Sequence, residues 1–234
     1  MYRELQPDKI IATLDRLGLR IAERFPNSGL SQVAEELCAL ARVQAARASR
    51  LSKPYVWLRG LSAAAVAAGL GAQAAVLRAA HLQATSFNVI DAAQGLEAIV
   101  NLLALMGGAV WFLITIEVRL KRRRALEALH ELRSLAHVID MHQLTKDPTV
   151  VLAAHHRTAA SPERAMSEFE LTRYLDYCAE MLALTGKLAA LYAGHARDPL
   201  VIDAVNEIEN LTANLGRKIW QKIMIISQLD EARA

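Results

Sequence analysis

The stretch AIVNLLALMGGAVWFLITI, residues 98–116, carries no charge, and Asn101 and Thr115 are its polar side chains. At about 1.5 Å per residue, a helix of this length spans the ~30 Å hydrocarbon core of a bilayer. A second uncharged stretch, GLSAAAVAAGLGAQAAVL at residues 60–77, is built largely from Ala and Gly. Its hydrophobicity is weaker, and alone it is compatible with a buried soluble helix. Tyr55 and Trp57, with Arg59 placed to snorkel, extend it to an interfacial anchor. Together the two stretches predict a transmembrane hairpin with spans over about 58–78 and 97–117.

The flanks orient the hairpin. Arg42, Arg47, Arg50, Lys53 and Arg59 precede the first span, and Arg119, Lys121, Arg122, Arg123 and Arg124 follow the second. In the span-to-span region Arg78 is the only Lys or Arg, just before the connection HLQATSFNVIDAAQG. The positive-inside asymmetry predicts both termini in the cytoplasm, as in a bacterial inner membrane, and a single span would strand one basic cluster on the wrong side. The run Lys121, Arg122, Arg123, Arg124 reads as a topology signal in contact with lipid headgroups.

Composition agrees with this division. Of 234 residues, 53% are hydrophobic and 22% charged, but the two classes are segregated along the chain rather than mixed at helical period. The net charge of +3 comes from basic residues beside apolar blocks, which fits membrane topology and not nucleic-acid binding. Cys38 and Cys178 lack metal-type spacing and read as reduced structural residues. The N-terminus, MYRELQPDKIIATLDRLGLR, has no apolar core of a secretory signal.

Outside the hairpin the pattern is helical. Ile10, Ile11, Leu14, Leu17 and Ile21 predict an amphipathic helix over 7–24, and Pro26-Asn27-Ser28-Gly29 a turn. A second helix is expected from a Ser31 cap to about Arg50. Beyond the second span the helix continues through KRRRALEALHELRSLAHVIDMHQL, residues 121–144. Asp147-Pro148, Ser161-Pro162 and Asp198-Pro199 each signal a helix start, which predicts a short helix over 148–160 and long ones over about 162–195 and 199–229. The expected fold is all-α: N-terminal amphipathic helices (1–52), a membrane hairpin (55–117) and a C-terminal cytoplasmic helical bundle (118–234).

Two stripes hold the candidate chemistry. On a helical wheel Glu97, Asn101, Ala104, Gly108 and Thr115 share one face of the second span, and Ser62, Gly69 and Gln73 one face of the first. Two readings are open for them. One is a packing seam closed by a Gln73–Asn101 hydrogen bond; the other is the lining of an oligomeric pore with Glu97 at its outer mouth. The second stripe lies in HELRSLAHVIDMHQLTKDP, where His130, Arg133, His137 and Asp140 cluster on one side. His137 and Asp140, with His130, are candidate metal ligands or an acid–base pair. Against that, His130 and His137 are two turns apart, and Arg133 between them repels a cation. The alternative is a polar strip in which Arg133 pairs with Asp140 or with an acid on a neighbouring helix. His155-His156 reads as solvated. No motif indicates a cofactor.

Three functions follow from these residues. The first is a homo-oligomeric membrane protein whose cytoplasmic helices assemble or gate a pore or membrane-perturbing element. The second is a membrane-anchored scaffold that binds a cytoplasmic protein partner. The third is a membrane-bound enzyme using the His/Asp strip.

Overall fold

A computed structural model of the chain describes residues 5–83, 89–146, 166–196 and 198–231. Among these residues there are six helices and no strand: Pro7–Arg24 (α1), Gly29–Leu51 (α2), Val56–Gln83 (α3), Val89–Leu144 (α4), Glu168–His195 (α5) and Pro199–Glu231 (α6). The expected helix over 148–160, the starts at Asp147-Pro148 and Ser161-Pro162, and His155-His156 lie outside the described residues.

Local chemistry accounts for the helix boundaries. Pro7 opens α1, where its missing N–H removes a donor that has no helical partner. Asn27, at φ 56°, provides the left-handed residue that reverses the chain into α2. The cap of α2 is Ser28, one turn before the expected Ser31: its Oγ accepts the Ser31 N–H at 3.1 Å. The helix expected over about 162–195 is described from Glu168. Its N-terminus is set by a capping box, in which Ser167 Oγ accepts the Glu170 N–H at 3.2 Å and Glu170 accepts the Ser167 N–H at 2.8 Å. Asp198 Oδ1 accepts the Leu200 N–H at 3.0 Å at the start of α6.

The chain divides into two compact units, Met1–Ser52 with Arg124–Ala234, and Lys53–Arg123. The first is a helical bundle built from α1, α2, α5, α6 and residues 124–144 of α4. Every apolar face read from the sequence is buried in it. Leu14, Leu17 and Ile21 of α1 share one core with Leu129, Leu132, Ala136 and Ile139 of α4. Leu171, Leu175, Cys178, Leu182, Ala189 and Tyr192 of α5, with Val201, Val205, Ile208, Leu215, Ile219 and Ile226 of α6, complete it. The N-terminal and C-terminal regions are therefore one folded body. Gly186 lets α5 and α6 approach closely, because a Cβ there would sit 2.7 Å from Thr212 Oγ1.

Polar side chains stitch this bundle across its helices. Arg20 pairs with Glu180 at 2.6 Å, Arg42 with Asp15 at 2.7 Å, and Arg47 with Glu131 at 2.7 Å. Inside it, Gln44 is fully buried: its Nε2 donates to Ala128 O and Glu131 Oε2, both at 3.1 Å, and its Oε1 accepts the Tyr192 hydroxyl. Gln143, also buried, donates to Asp140 Oδ1 and accepts Lys222 Nζ at 2.6 Å. A buried amide is tolerated when its donors and acceptor are matched, as those of Gln44 are.

The second unit holds α3 and residues 89–123 of α4. It contains both uncharged stretches, and among the described residues two helices are long and apolar enough to cross a membrane.

Candidate functional site

The hairpin unit is assembled by a seam of small and apolar side chains. On α3, Leu58 is buried, and Ser62, Ala65, Val66, Gly69 and Gln73 are half-buried at helical period. On α4 the matching face is Ile99, Leu102, Met106, Val110, Leu113 and Glu117, all half-buried. The two faces meet at Gly69, where an added Cβ would collide with the Met106 side chain. Small residues at such a crossing let helix backbones approach closely.

The base of the hairpin is closed by charge. Glu117, with its side chain 14% exposed, accepts Lys121 Nζ at 2.8 Å and the Tyr55 N–H at 3.3 Å. Arg59 Nε lies 3.8 Å from the same carboxylate, and Lys121 Nζ sits 5.4 Å from the centre of the Tyr55 ring. Lys121, expected to contact headgroups, is thus half-buried and bonded within the hairpin. Arg122 is half-buried, while Arg123 and Arg124 are exposed. Glu117 was missed in the sequence because it falls one residue past the uncharged run. The helical spacing from Met106 and Val110 to Leu113 and Glu117 was the available signal.

The stripe residues separate into two groups. Ser62, Gly69 and Gln73 lie on the seam, facing α4. Glu97, Asn101, Ala104 and Gly108 are exposed, on the side of α4 opposite Met106 and Val110. Thr115 is half-buried, and its Oγ1 donates to Trp111 O at 2.8 Å. Ser62 Oγ likewise donates back into its own helix, to Leu58 O at 2.9 Å. Among the described residues no hydrogen bond joins Gln73 to Asn101. The two halves of the stripe do not face each other within one hairpin. Large apolar side chains flank them without protein cover: Leu105 is 72% exposed and Trp111 70%. The apolar window of α4 has no buried residue at all, unlike the core helix of a soluble protein.

No family model, curated protein or solved structure matches this chain.

The histidine strip sits in the bundle unit. His130 and His137 are exposed, and Asp140 is engaged by Gln143 Nε2 at 2.5 Å. Arg133 reaches a neighbouring helix and pairs with Glu207 of α6 at 3.1 Å. His142 points elsewhere, against Gly29 at the start of α2. Among the described residues no group of three or more His, Cys, Asp or Glu side chains is placed to hold a metal ion. An open groove of 300 Å³ beside α1, lined by Lys9, Thr13, Leu184 and Lys187, offers no nucleophile–base pair.

Proposed function

We propose that this chain is a two-span protein of a bacterial inner membrane that works as a homo-oligomer. Both termini are cytoplasmic, and the bundle assembles or gates a pore or membrane-perturbing element. The observation that carries the reading is the outward face of α4. Glu97 and Asn101 project from an apolar hairpin on the side that α3 does not cover. In hydrocarbon an exposed amide or carboxylate lacks a partner, so that face needs protein or water against it. Two helices enclose no lumen, and further copies of the chain would supply both. The basic flanks support the orientation, since five Lys or Arg residues lie between residues 42 and 59 and five between residues 119 and 124.

Reconstitution into liposomes tests this reading. The expected result is an oligomeric particle in nanodiscs, by mass photometry, together with ion or dye release from loaded liposomes. A monomer in lipid that leaves liposomes sealed would overturn it.

A second reading, a membrane-anchored adaptor, is favoured by one feature of the bundle. Met141 and Leu144 near the end of α4, and Trp220 and Met224 of α6, are all more than half exposed. Lys222 Nζ, bonded to Gln143 O at 3.0 Å, brings those two helix segments side by side. Exposed apolar surface of this kind marks protein contact sites. Under that reading Trp220→Ser with Met224→Ser removes a stoichiometric co-purifying protein and leaves oligomer mass and flux unchanged.

A further inference from the structure

Within one hairpin the Met106 side chain packs on Gly69, and the register taken from that contact sets the two residues level. Each step up α3 therefore matches an equal step down α4, because both rise about 1.5 Å per residue. The seam occupies one side of each helix. The opposite side of α3, at about 100° per residue, carries Gly60, Ala64, Ala67, Gly71, Ala74 and Arg78, and all six are exposed. The opposite side of α4 carries Glu97, Asn101, Ala104 and Gly108. Gly60, Gly71 and Gly108 have no atom within 4 Å of where a Cβ would stand. Each hairpin thus has two outward faces that differ from each other, one bearing an arginine and the other a glutamate.

We propose that the outward face of α4 in one copy docks on the outward face of α3 in the next, with Glu97 paired to Arg78 across the junction. The proposal rests on the two-span reading, in which all copies share one bilayer and therefore one depth scale. With the register carried over from the hairpin, Glu97 stands level with Arg78, Ala104 with Gly71, and Gly108 with Ala67. The bulky Trp111 stands level with Ala64. Opposite charges meet at one depth, Asn101 meets the small Ala74 below them, small residues meet small residues further down, and the large side chain meets a methyl group. An ionisable residue near a membrane span is stabilised by an opposite charge, and this arrangement provides one for both. Juxtaposing two α4 faces instead would place Glu97 against Glu97 in a parallel pair.

Because the two faces are different, the contact is head-to-tail, and it propagates until it closes into a ring. The stripe is then the joint between subunits. A ring wall built this way turns the flanks of α4 toward its inside and outside, with Leu105 and Phe112 on one flank and Leu103 and Ile114 on the other. A lumen with such a lining is apolar, of the type that gates by dewetting.

Disulfide cross-linking of the full chain in native membranes tests the geometry. Oxidation of the double variant Ala67→Cys with Gly108→Cys is expected to give a ladder of dimers, trimers and higher multimers. Either single variant, and the unmodified chain with its own Cys38 and Cys178, is expected to give no ladder. In the ladder-forming background Arg78→Glu alone and Glu97→Arg alone each reduce the yield about tenfold, and the two together restore it. A dimer from Gly108→Cys alone would overturn the proposal, because two α4 faces would then meet. So would reaction of that cysteine with a water-soluble thiol reagent in the assembled protein, which would place the stripe on a lumen. Absence of any ladder from protein that resists carbonate extraction overturns the docking mode and spares the two-span reading. Release of the chain by carbonate overturns both.

Discussion

Gln44 is the residue whose removal the bundle should feel most sharply. It is a fully buried amide on the apolar face of α2, satisfied by Ala128 O, Glu131 and the Tyr192 hydroxyl. Tyr192→Phe leaves Gln44 Oε1 without its donor, and Gln44→Leu leaves the tyrosine hydroxyl only its longer bond to the backbone carbonyl of residue 44, at 3.4 Å. Each is expected to cost about 1–2 kcal/mol, read as a drop in Tm of about 2–4 °C per kcal/mol for a chain of this size. The double variant should recover part of the loss, because an apolar pair leaves no orphaned polar atom. Thermal melts of all three in detergent check the cycle, and strictly additive losses would mean that the two side chains are not coupled. The thiols give a second prediction. Burial pushes Cys178 up to about 12 from the ordinary 9.0. A folded pKa above the unfolded one stabilises the fold fully below pH 9 and loses that contribution as pH rises toward 12. Alkaline melts should fall across that window more steeply for the native chain than for Cys178→Ala. Cys38, half-buried and donating to Leu14 O at 3.4 Å, is also raised, by burial first and then by Asp15. Under native conditions a thiol reagent should modify Cys38 slowly and leave Cys178 untouched until the protein is unfolded.

At the scale of the helix, packing faces were legible and contact partners were not. A 3.6-residue period fixes which side of α5 or α6 is apolar, so Leu175, Tyr192, Val205 and Ile219 could be assigned to a core from spacing alone. Periodicity says nothing about which neighbour fills that face. The same limit separated the stripe: Glu97 and Asn101 could be placed together on α4, but their side relative to α3 depends on how the hairpin rotates about Gly69 and Met106. Caps were misplaced for a more local reason. Ser28 and Ser31 are both capping residues three apart, and the left-handed Asn27 selects the earlier one. For α5 the box formed by Ser167 and Glu170 sets the start at Glu168. The contact between α5 and α6 offers a test of packing at this scale. Gly186→Ala gains helix propensity of about 1 kcal/mol, yet its methyl would meet Thr212 Oγ1 at 2.7 Å. Thr212 cannot turn aside freely, since its hydroxyl donates to Ile208 O at 3.0 Å and its branched side chain is stiff. Overpacking costs about 1–3 kcal/mol, so a net loss is expected, and Thr212→Ala in the same chain should convert it to a gain. A stabilised Gly186→Ala single variant would show that the helices can separate at little cost.

For the molecule as a whole, the sequence revealed the uncharged segments but not that the two ends of the chain share a core. α1 and α5 are far apart in sequence, and what joins them is non-local: Arg20 with Glu180, and Phe25 edge-on to Tyr174 at 5.4 Å. Compositional blocks separate apolar from charged segments, and both terminal regions have the same amphipathic composition, so no boundary or union between them is written in it. The division into a bundle and a hairpin makes a prediction about where membrane affinity resides. Gln44 bonds to Ala128 and Arg47 to Glu131, so the end of α2 and the start of the bundle portion of α4 run side by side. A flexible Gly/Ser linker of about eight residues, spanning roughly 15 Å on average, should therefore replace residues 53–123 without disturbing the core. That shortened chain keeps Leu14, Leu132, Leu175 and Ile219 in one buried cluster, and it is expected to be helical by circular dichroism, to melt cooperatively and to remain in the supernatant after ultracentrifugation without detergent. The full chain should pellet with the membranes and resist carbonate. If the shortened chain also pelleted while melting cooperatively, membrane affinity would lie in exposed bundle residues such as Trp220 and Phe169, and the uncharged helices would have to be read as a contact between proteins.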